Sequence, residues 1–284
     1  MFVLMDKVIL VNKPTGMTSF DVVRDLRKIF HEKKIGHTGT LDPQASGLLI
    51  VLLGKYTKLL PFCVKNHKTY EATFRLGIDT DTQDIWGKVV NEKKPHLLSD
   101  EEISHIKEHF HGEMEQLPPM YSAKKVNGKK LYEYARDNLV LERKKEKIFI
   151  DELDLKHFKD DEYYLSATVS SGTYIRTLIH DIGAFVDEYA TMTSLIRTSI
   201  EHLRLDDAYQ LDEISADSEG IDPINVISDE YEIVEINNDK KIYNGVPVTI
   251  DNHRDKIIFV KDNKVLAAYE RKDDGKYYCK RGLF

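Results

Sequence analysis

Residues 36–47 contain three glycines, a proline and mostly small polar side chains, and this constrains the chain more than any other feature. A stretch with so little to bury reads as a loop. The apolar run at residues 47–53 follows it directly, closes on Gly54, and is expected inside the protein as helix or strand. It is far too short to cross a bilayer, which takes about 20 apolar residues. On the near side, residues 8–11 form a short β-branched run ending at Lys13-Pro14-Thr15-Gly16, a strand followed by a turn.

The remaining elements follow from pattern. Thr18 or Ser19 can cap a helix whose apolar positions Val22, Val23, Leu26, Ile29 and Phe30 keep helical spacing. Residues 68–76 alternate as a strand. Ser99 stands three residues before Glu102, a capping box that predicts a helix over 99–110. Residues 148–158 and 163–169 read as two paired strands. Residues 173–186 then read as a helix with Ile175, Leu178, Ile179, Ile182 and Phe185 inward. Residues 205–230 are acidic and suggest a helical or loose connector. From Tyr231 onward, short runs at 245–248, 256–260, 264–269 and 276–279 suggest a small β domain.

The 284 residues, 41% hydrophobic and 31% charged, suit a globular enzyme and exclude disordered and fibrous classes. Two cysteines cannot build a disulfide framework or a zinc site. The first residues lack the apolar core and cleavage site of a secretory signal, so a cytoplasmic location is expected, with no membrane association. The net charge of −7 argues against a nucleic-acid partner until its distribution is considered. Residues 1–150 carry a net +5, residues 151–230 a net −14 and residues 231–284 a net +2. A phosphate backbone responds to a local patch, because screening cuts fields off over roughly 8–10 Å. The segment 124–147 is such a patch, with nine Lys and Arg against four acids and Tyr132 and Tyr134 interleaved. It reads as a flap over RNA, or as a solvated amphipathic helix.

Asp42 is the chemically interesting residue of the loop. Pro43 biases it to extended backbone, so the carboxylate projects from a stiff turn suited to covalent or acid–base work. An Asp-Pro turn whose side chain caps backbone N–H groups is the competing reading. On the residues alone the turn is favoured.

Gly36-His37-Thr38-Gly39-Thr40-Leu41-Asp42-Pro43 also resembles the signature of the TruB-type tRNA pseudouridine-55 synthases. Val11-Asn12-Lys13-Pro14-Thr15-Gly16-Met17-Thr18-Ser19 is similar to the family's Lys-Pro-x-Gly motif, and Lys68-Thr69-Tyr70 to the motif whose tyrosine stacks on the target base. Further resemblances lie at residues 75–84, residues 118–136 and Ser171-Gly172-Thr173-Tyr174-Ile175-Arg176-Thr177. All six motifs stand in family order.

The resemblance implies an α+β fold, with a mixed, largely antiparallel sheet flanked by helices and a small PUA-like β domain. The boundaries expected are 1–230 for the catalytic domain, with an RNA-gripping insert around 120–147, and 231–284 for the small domain. It implies isomerisation of uridine to pseudouridine at position 55 in the T loop of tRNA, by base flipping and without metal or cofactor. Asp42 becomes the essential nucleophile or base, Arg176 its cationic partner, and Tyr70 the cover of the flipped uracil. Tyr174 and Leu195 line the pocket and His37 props the RNA. Lys13 and Asp84 are structural or RNA-contacting, and Lys124, Lys129, Lys130 and Arg136 grip the T-arm. A monomer suffices.

The chain departs from the family pattern at Asn12, Gln44, Ser46 and Ile196, and the last puts one RNA or structural contact in question. Two other readings stand beside this one. The first is a pseudouridine synthase acting on another RNA, and the second a tRNA-folding chaperone; turnover depending on Asp42 separates the chaperone from either enzyme.

Overall fold

Strict alternation builds the largest sheet. In the strand Glu162–Ser170, Tyr163, Leu165, Ala167 and Val169 are buried while the residues between them are half-exposed, the period-2 pattern of a strand with one face in a core. A computed structural model describes residues 6–137, 139–237, 240–251 and 253–283. Its strands, in chain order, are β1 (Val8–Lys13), β2 (Ile35–Thr38), β3 (Ser46–Leu53), β4 (His67–Leu76), β5 (Ile78–Thr80), β6 (Val89–Glu92), β7 (Gly112–Gln116), β8 (Lys125–Val126), β9 (Lys129–Lys130), β10 (Glu146–Lys159), β11 (Glu162–Ser170), β12 (Ala190–Ile200), β13 (Leu203–Arg204), β14 (Tyr209–Gln210), β15 (Glu232–Glu235), β16 (Lys256–Lys261), β17 (Lys264–Arg271) and β18 (Tyr277–Gly282). The helices are α1 (Ser19–Phe30), α2 (Asp100–His109), α3 (Leu131–Arg136), α4 (Ile175–Phe185) and α5 (Lys240–Tyr243), alongside a 3₁₀ segment at Gly54–Phe62 and shorter 3₁₀ turns. The fold is α+β, as expected.

The chain divides into two compact units, residues 1–65 with 203–284, and residues 66–202. In the first unit β1 runs antiparallel to β3 with Val8 opposite Leu52 and Lys13 opposite Gly47, and parallel to β14. Helix α1 covers them with Val22, Val23, Leu26 and Phe30, which join Ile9, Val11, Leu49 and Val51 in one core. Burying each such side chain contributes about 1.5–3 kcal/mol. The apolar run whose type the sequence left open is thus strand β3, buried from Gly47 to Leu53.

The loop expected over 36–47 is shorter. Residues 35–38 form β2, paired to β3 with Ile35 opposite Leu53 and Thr38 opposite Ile50. At Gly36 a Cβ would meet Leu60 Cδ1 at 2.7 Å, so any larger residue there makes that side chain shift.

The acidic connector is also better ordered than composition suggests. Its Tyr209–Gln210 pairs with Val11 and Asn12 as an edge strand. At the C-terminus, β15, β16, β17 and β18 make a separate four-stranded sheet with Ile257, Phe259, Ala267, Tyr269 and Tyr277 in its core. The strand expected at 245–248 is absent: Pro247 has no N–H for a ladder, and Val248 makes only an isolated bridge to Tyr277. Strand β15 stands instead, parallel to β16.

In the second unit the sheet order is β12-β4-β11-β10-β7, antiparallel throughout. Ile106 and Phe110 from the α2 region and Ile175, Leu178, Ile179 and Ile182 from α4 seal one face. The capping box of α2 forms as predicted, Ser99 accepting from Glu102 N–H and Glu102 from Ser99 N–H. Phe185, expected inward, is 43% exposed at the last residue of α4, where its ring stacks on His109 at 4.4 Å.

Candidate active site

In the first unit, Asp42 opens a turn that closes when Ala45 N–H donates to the Asp42 carbonyl at 3.1 Å. Pro43 at the second position fixes its φ near −65°, and Gly39 ahead of it has φ +70°, a conformation that a side chain would strain.

Residues 13–19 hold this turn from three sides. Gly16 N–H donates to the Pro43 carbonyl at 2.8 Å. The Lys13 ammonium, fully buried, donates to the carbonyls of Pro14 (2.9 Å), Met17 (2.7 Å) and Pro43 (3.4 Å). A buried charge survives only with such acceptors. The Ser19 hydroxyl, 1% exposed, accepts from Leu41 N–H at 2.9 Å and donates to the Leu41 carbonyl at 3.2 Å. Ser19 is available for this because Thr18 makes the α1 capping box with Asp21. Leu41 is therefore buried while Asp42, the next residue, is exposed. His37 is half-buried in β2, opposite Val51.

The second unit gathers another group. Tyr70 on β4 lies opposite Arg197 on β12, and Ala72 opposite Leu195. Tyr70 and Leu195 are therefore diagonal neighbours on one face, about 7–8 Å apart along the sheet and within reach of an aromatic ring. Both pack against the large core.

Arg176 lies in the first turn of α4 with its side chain 7% exposed. One guanidinium nitrogen stands 3.4 Å from Asp84 Oδ2 and another donates to the Tyr121 carbonyl. The other Asp84 oxygen, Oδ1, accepts from the Thr82 hydroxyl at 2.7 Å and from Trp86 N–H at 3.2 Å. The backbone of Tyr174 is bracketed by the Gln116 side-chain amide, which accepts from Tyr174 N–H at 2.8 Å and donates to its carbonyl at 3.1 Å. Sequence reasoning missed the Ser19 strap and the Gln116 bracket, whose partners lie 22 and 58 residues away with no local pattern to announce them.

The basic segment folds as the β8–β9 hairpin, α3 and an irregular return. Several of its charges are locally matched. Lys124 pairs with Glu146, and Lys129 with Asp137 at 2.8 Å; Lys129 also lies over the Tyr134 ring, and both Lys130 and Arg136 lie over Tyr132. The hydrogen bond to Asp137 holds the Lys129 ammonium above its ordinary pKa. A groove in the C-terminal sheet, with Ile242, Val248 and Phe259 at its base and Lys241 and Lys276 beside them, involves none of the residues singled out from sequence. Among the described residues no group of three His, Cys, Asp or Glu side chains is placed to hold a metal, and no helix is long and apolar enough to cross a membrane.

Comparison with known proteins shows the family to which this α+β chain belongs. Residues 27–175 match the model of the TruB family pseudouridylate synthase N-terminal domain. The tRNA pseudouridine synthase B of Lactobacillus acidophilus is 39% identical over 97% of this chain and 97% of that relative. The Bacillus subtilis protein of the same name is 41% identical over 76% of this chain and 72% of its own length. The chain belongs to the TruB family of pseudouridine synthases. The solved structure of a Cbf5-Nop10-Gar1 complex shares the fold, with a TM-score of 0.69 at 22% identity over 98% of this chain and 85% of that one. A box H/ACA Nop10-Cbf5 complex is similar, with a TM-score of 0.67 over 100% of this chain and 87% of that one.

Proposed function

We propose that this enzyme isomerises uridine to pseudouridine at position 55 in the T loop of tRNA, with Asp42 as its essential carboxylate. The observation that carries the reading is the Asp42 turn itself: an exposed carboxylate on a backbone fixed by Ser19, Lys13 and Gly16. A group so held meets a substrate without reorganising, the arrangement that makes a positioned nucleophile or base effective. The relatives named for tRNA, aligned over nearly the whole chain, supply the substrate class.

The target uracil is stacked within its loop, so the nucleotide is flipped out at a cost of a few kcal/mol and held by stacking and edge contacts. Tyr70 covers one face of the base; Leu195 and Tyr174 line the pocket, and Arg176 stabilises the ionised Asp42. His37 props the RNA. Lys13 acts through the loop it holds, and Lys124, Lys129, Lys130 and Arg136 grip the T-arm backbone, positioning it without reading sequence. In the reaction the bond from N1 to C1′ breaks, the base turns, and a bond from C5 to C1′ forms while the C5 proton leaves and N1 gains one. Atoms and electrons balance within the nucleoside, so no cofactor is needed. We assign catalysis to residues 1–230 and an RNA-supporting role to residues 231–284, in a monomer working in the cytoplasm.

The test is tritium release from 5-tritiated uridine in an unmodified T-arm stem-loop. Asp42→Asn abolishes release while RNA binding stays within a few fold. Turnover that survives the substitution sinks the proposal.

A further inference from the structure

We infer that Trp86 is an RNA-stacking residue, presented by the β5–β6 loop to a base of the bound strand beside the flipped nucleotide. The inference rests on the proposed function and adds a contact that it does not include.

The loop is braced by hydrogen bonds on both sides of its tip. Thr80 and Thr82 hydroxyls donate to the Asp84 carbonyl and carboxylate, Gln83 accepts from the Thr177 hydroxyl at 2.8 Å, and Ile85 N–H donates to the Met192 carbonyl at 2.8 Å. Gly87 completes the turn so tightly that a Cβ would stand 2.2 Å from Thr82 Oγ1 and 2.6 Å from Asp81 Oδ1. From this frame Ile85 and Trp86 project, 39% and 49% exposed, with Val89 and Val90 also exposed on the return strand. Among the described residues the indole meets no other ring or cation and its N–H donates to nothing. A large aromatic left in water on a braced loop is an apolar surface awaiting a partner.

Position, beside residues of the proposed site, selects RNA as the occupant. Asp84, two residues before Trp86, contacts Arg176. Successive Cα atoms are 3.8 Å apart, so the residue 86 backbone lies within about 7–8 Å of that carboxylate residue, a span of about two stacked nucleotides. A strand that delivers its base to the proposed pocket near Arg176 therefore comes within about two nucleotides of residue 86. Of the nearby acids, Asp81 accepts from Lys88 N–H, Asp79 from the Asn91 amide and Asp84 from Arg176, while Lys88, Glu92 and Lys94 are exposed. An aromatic face with Lys88 two residues along the chain fits a base and its phosphate.

Trp86 is the only tryptophan in the chain, so its emission reports the contact directly. T-arm stem-loop added to the Asp42→Asn protein, which binds without turning over, is expected to quench tryptophan emission saturably. In the otherwise native enzyme Trp86→Ala is expected to raise KM about 5- to 100-fold, the range for losing one stacked base, with kcat held within about two-fold, and Trp86→Phe to recover most of the loss. Saturable RNA binding with unchanged emission, or a Trp86→Ala KM within about two-fold of native, overturns the inference. So does a Trp86→Ala phenotype confined to self-association or protein capture. The underlying function fails by a different sign: if the native protein makes no pseudouridine in the T-arm yet its emission is quenched by RNA, the stacking contact stands and the substrate assignment falls.

Discussion

Replacing Ser19 with alanine isolates the strap that holds the Asp42 turn. The hydroxyl satisfies both backbone groups of Leu41, at 2.9 and 3.2 Å, in a site where Ser19 is 1% and Leu41 3% exposed. Alanine leaves a buried N–H and a buried carbonyl without partners, and each costs about 1–3 kcal/mol. The neighbouring residues Thr40 and Asp42 are exposed, so water can approach after modest relaxation and the loss should fall in the lower half of the sum, about 2–4 kcal/mol. For a chain of this size that is on the order of 5–10 °C in Tm. Because Leu41 precedes Asp42, the freed loop should also lower kcat about 10- to 100-fold, the scale of misplacing a reacting group by about 1 Å. Ser19→Thr, which keeps the hydroxyl, should recover most of both losses. Thermal denaturation followed by circular dichroism and tritium release read the two effects. If Ser19→Ala melts within about 1 °C of native with kcat unchanged, the strap does not hold the turn and the preorganisation reasoning is wrong.

Asp84→Ala should destabilise the second unit by about 3–5 kcal/mol, because the Arg176 guanidinium beside it is 7% exposed and loses a carboxylate partner; Asp84→Asn, keeping an acceptor for Thr82 and Trp86, should cost visibly less in the same melt. Cys63 should resist thiol reagents at pH 8 until the protein unfolds, since burial pushes its thiol up to about 12; labelling as fast as in denaturant would contradict its burial. His96 bridges Glu102 at 3.0 Å and Glu188 at 2.7 Å, and those hydrogen bonds raise its pKa, while Ser99 and His96 hold Glu102 down at about 2. A raised histidine stabilises below its unfolded value near 6.5 and loses that contribution as pH rises through its folded value. A depressed carboxylate stabilises above its unfolded value near 4.5 and loses it as pH falls toward about 2. The gap in denaturation midpoint between native and His96→Gln should therefore be widest near pH 5–6 and shrink above pH 7, and a gap independent of pH would refute the assignment.

Elements with strong local periodicity were legible from sequence: β4, β10, β11, α1 with its Thr18 cap and the Ser99 capping box stand where pattern places them. What sequence misplaced was decided by distant partners. Residues 35–38 look like loop because Gly36 and His37 carry no strand signal, yet β3 supplies a ladder. Tyr209–Gln210 sits in an acidic connector and becomes strand because β1 offers an edge. Phe185 keeps helical phase with the core, but the helix ends there and His109 takes its ring. The site divides the same way. Tyr70 and Leu195 become neighbours through a register that no local window contains, and the contact of Arg176 with Asp84 spans 92 residues.

Asp42 shows why local physics could not decide between its two readings. Taken alone, an Asp-Pro in a glycine loop is a turn, and the closing bond from Ala45 N–H to the Asp42 carbonyl makes it one. That bond engages the backbone carbonyl of Asp42, whose residue is exposed. In the proposed function the turn and the chemistry are therefore successive layers of one arrangement, the first holding the carboxylate that the second would use. Distinguishing them requires knowing what fixes the loop from behind, and Ser19, Lys13 and Gly16 do so from a segment more than twenty residues upstream.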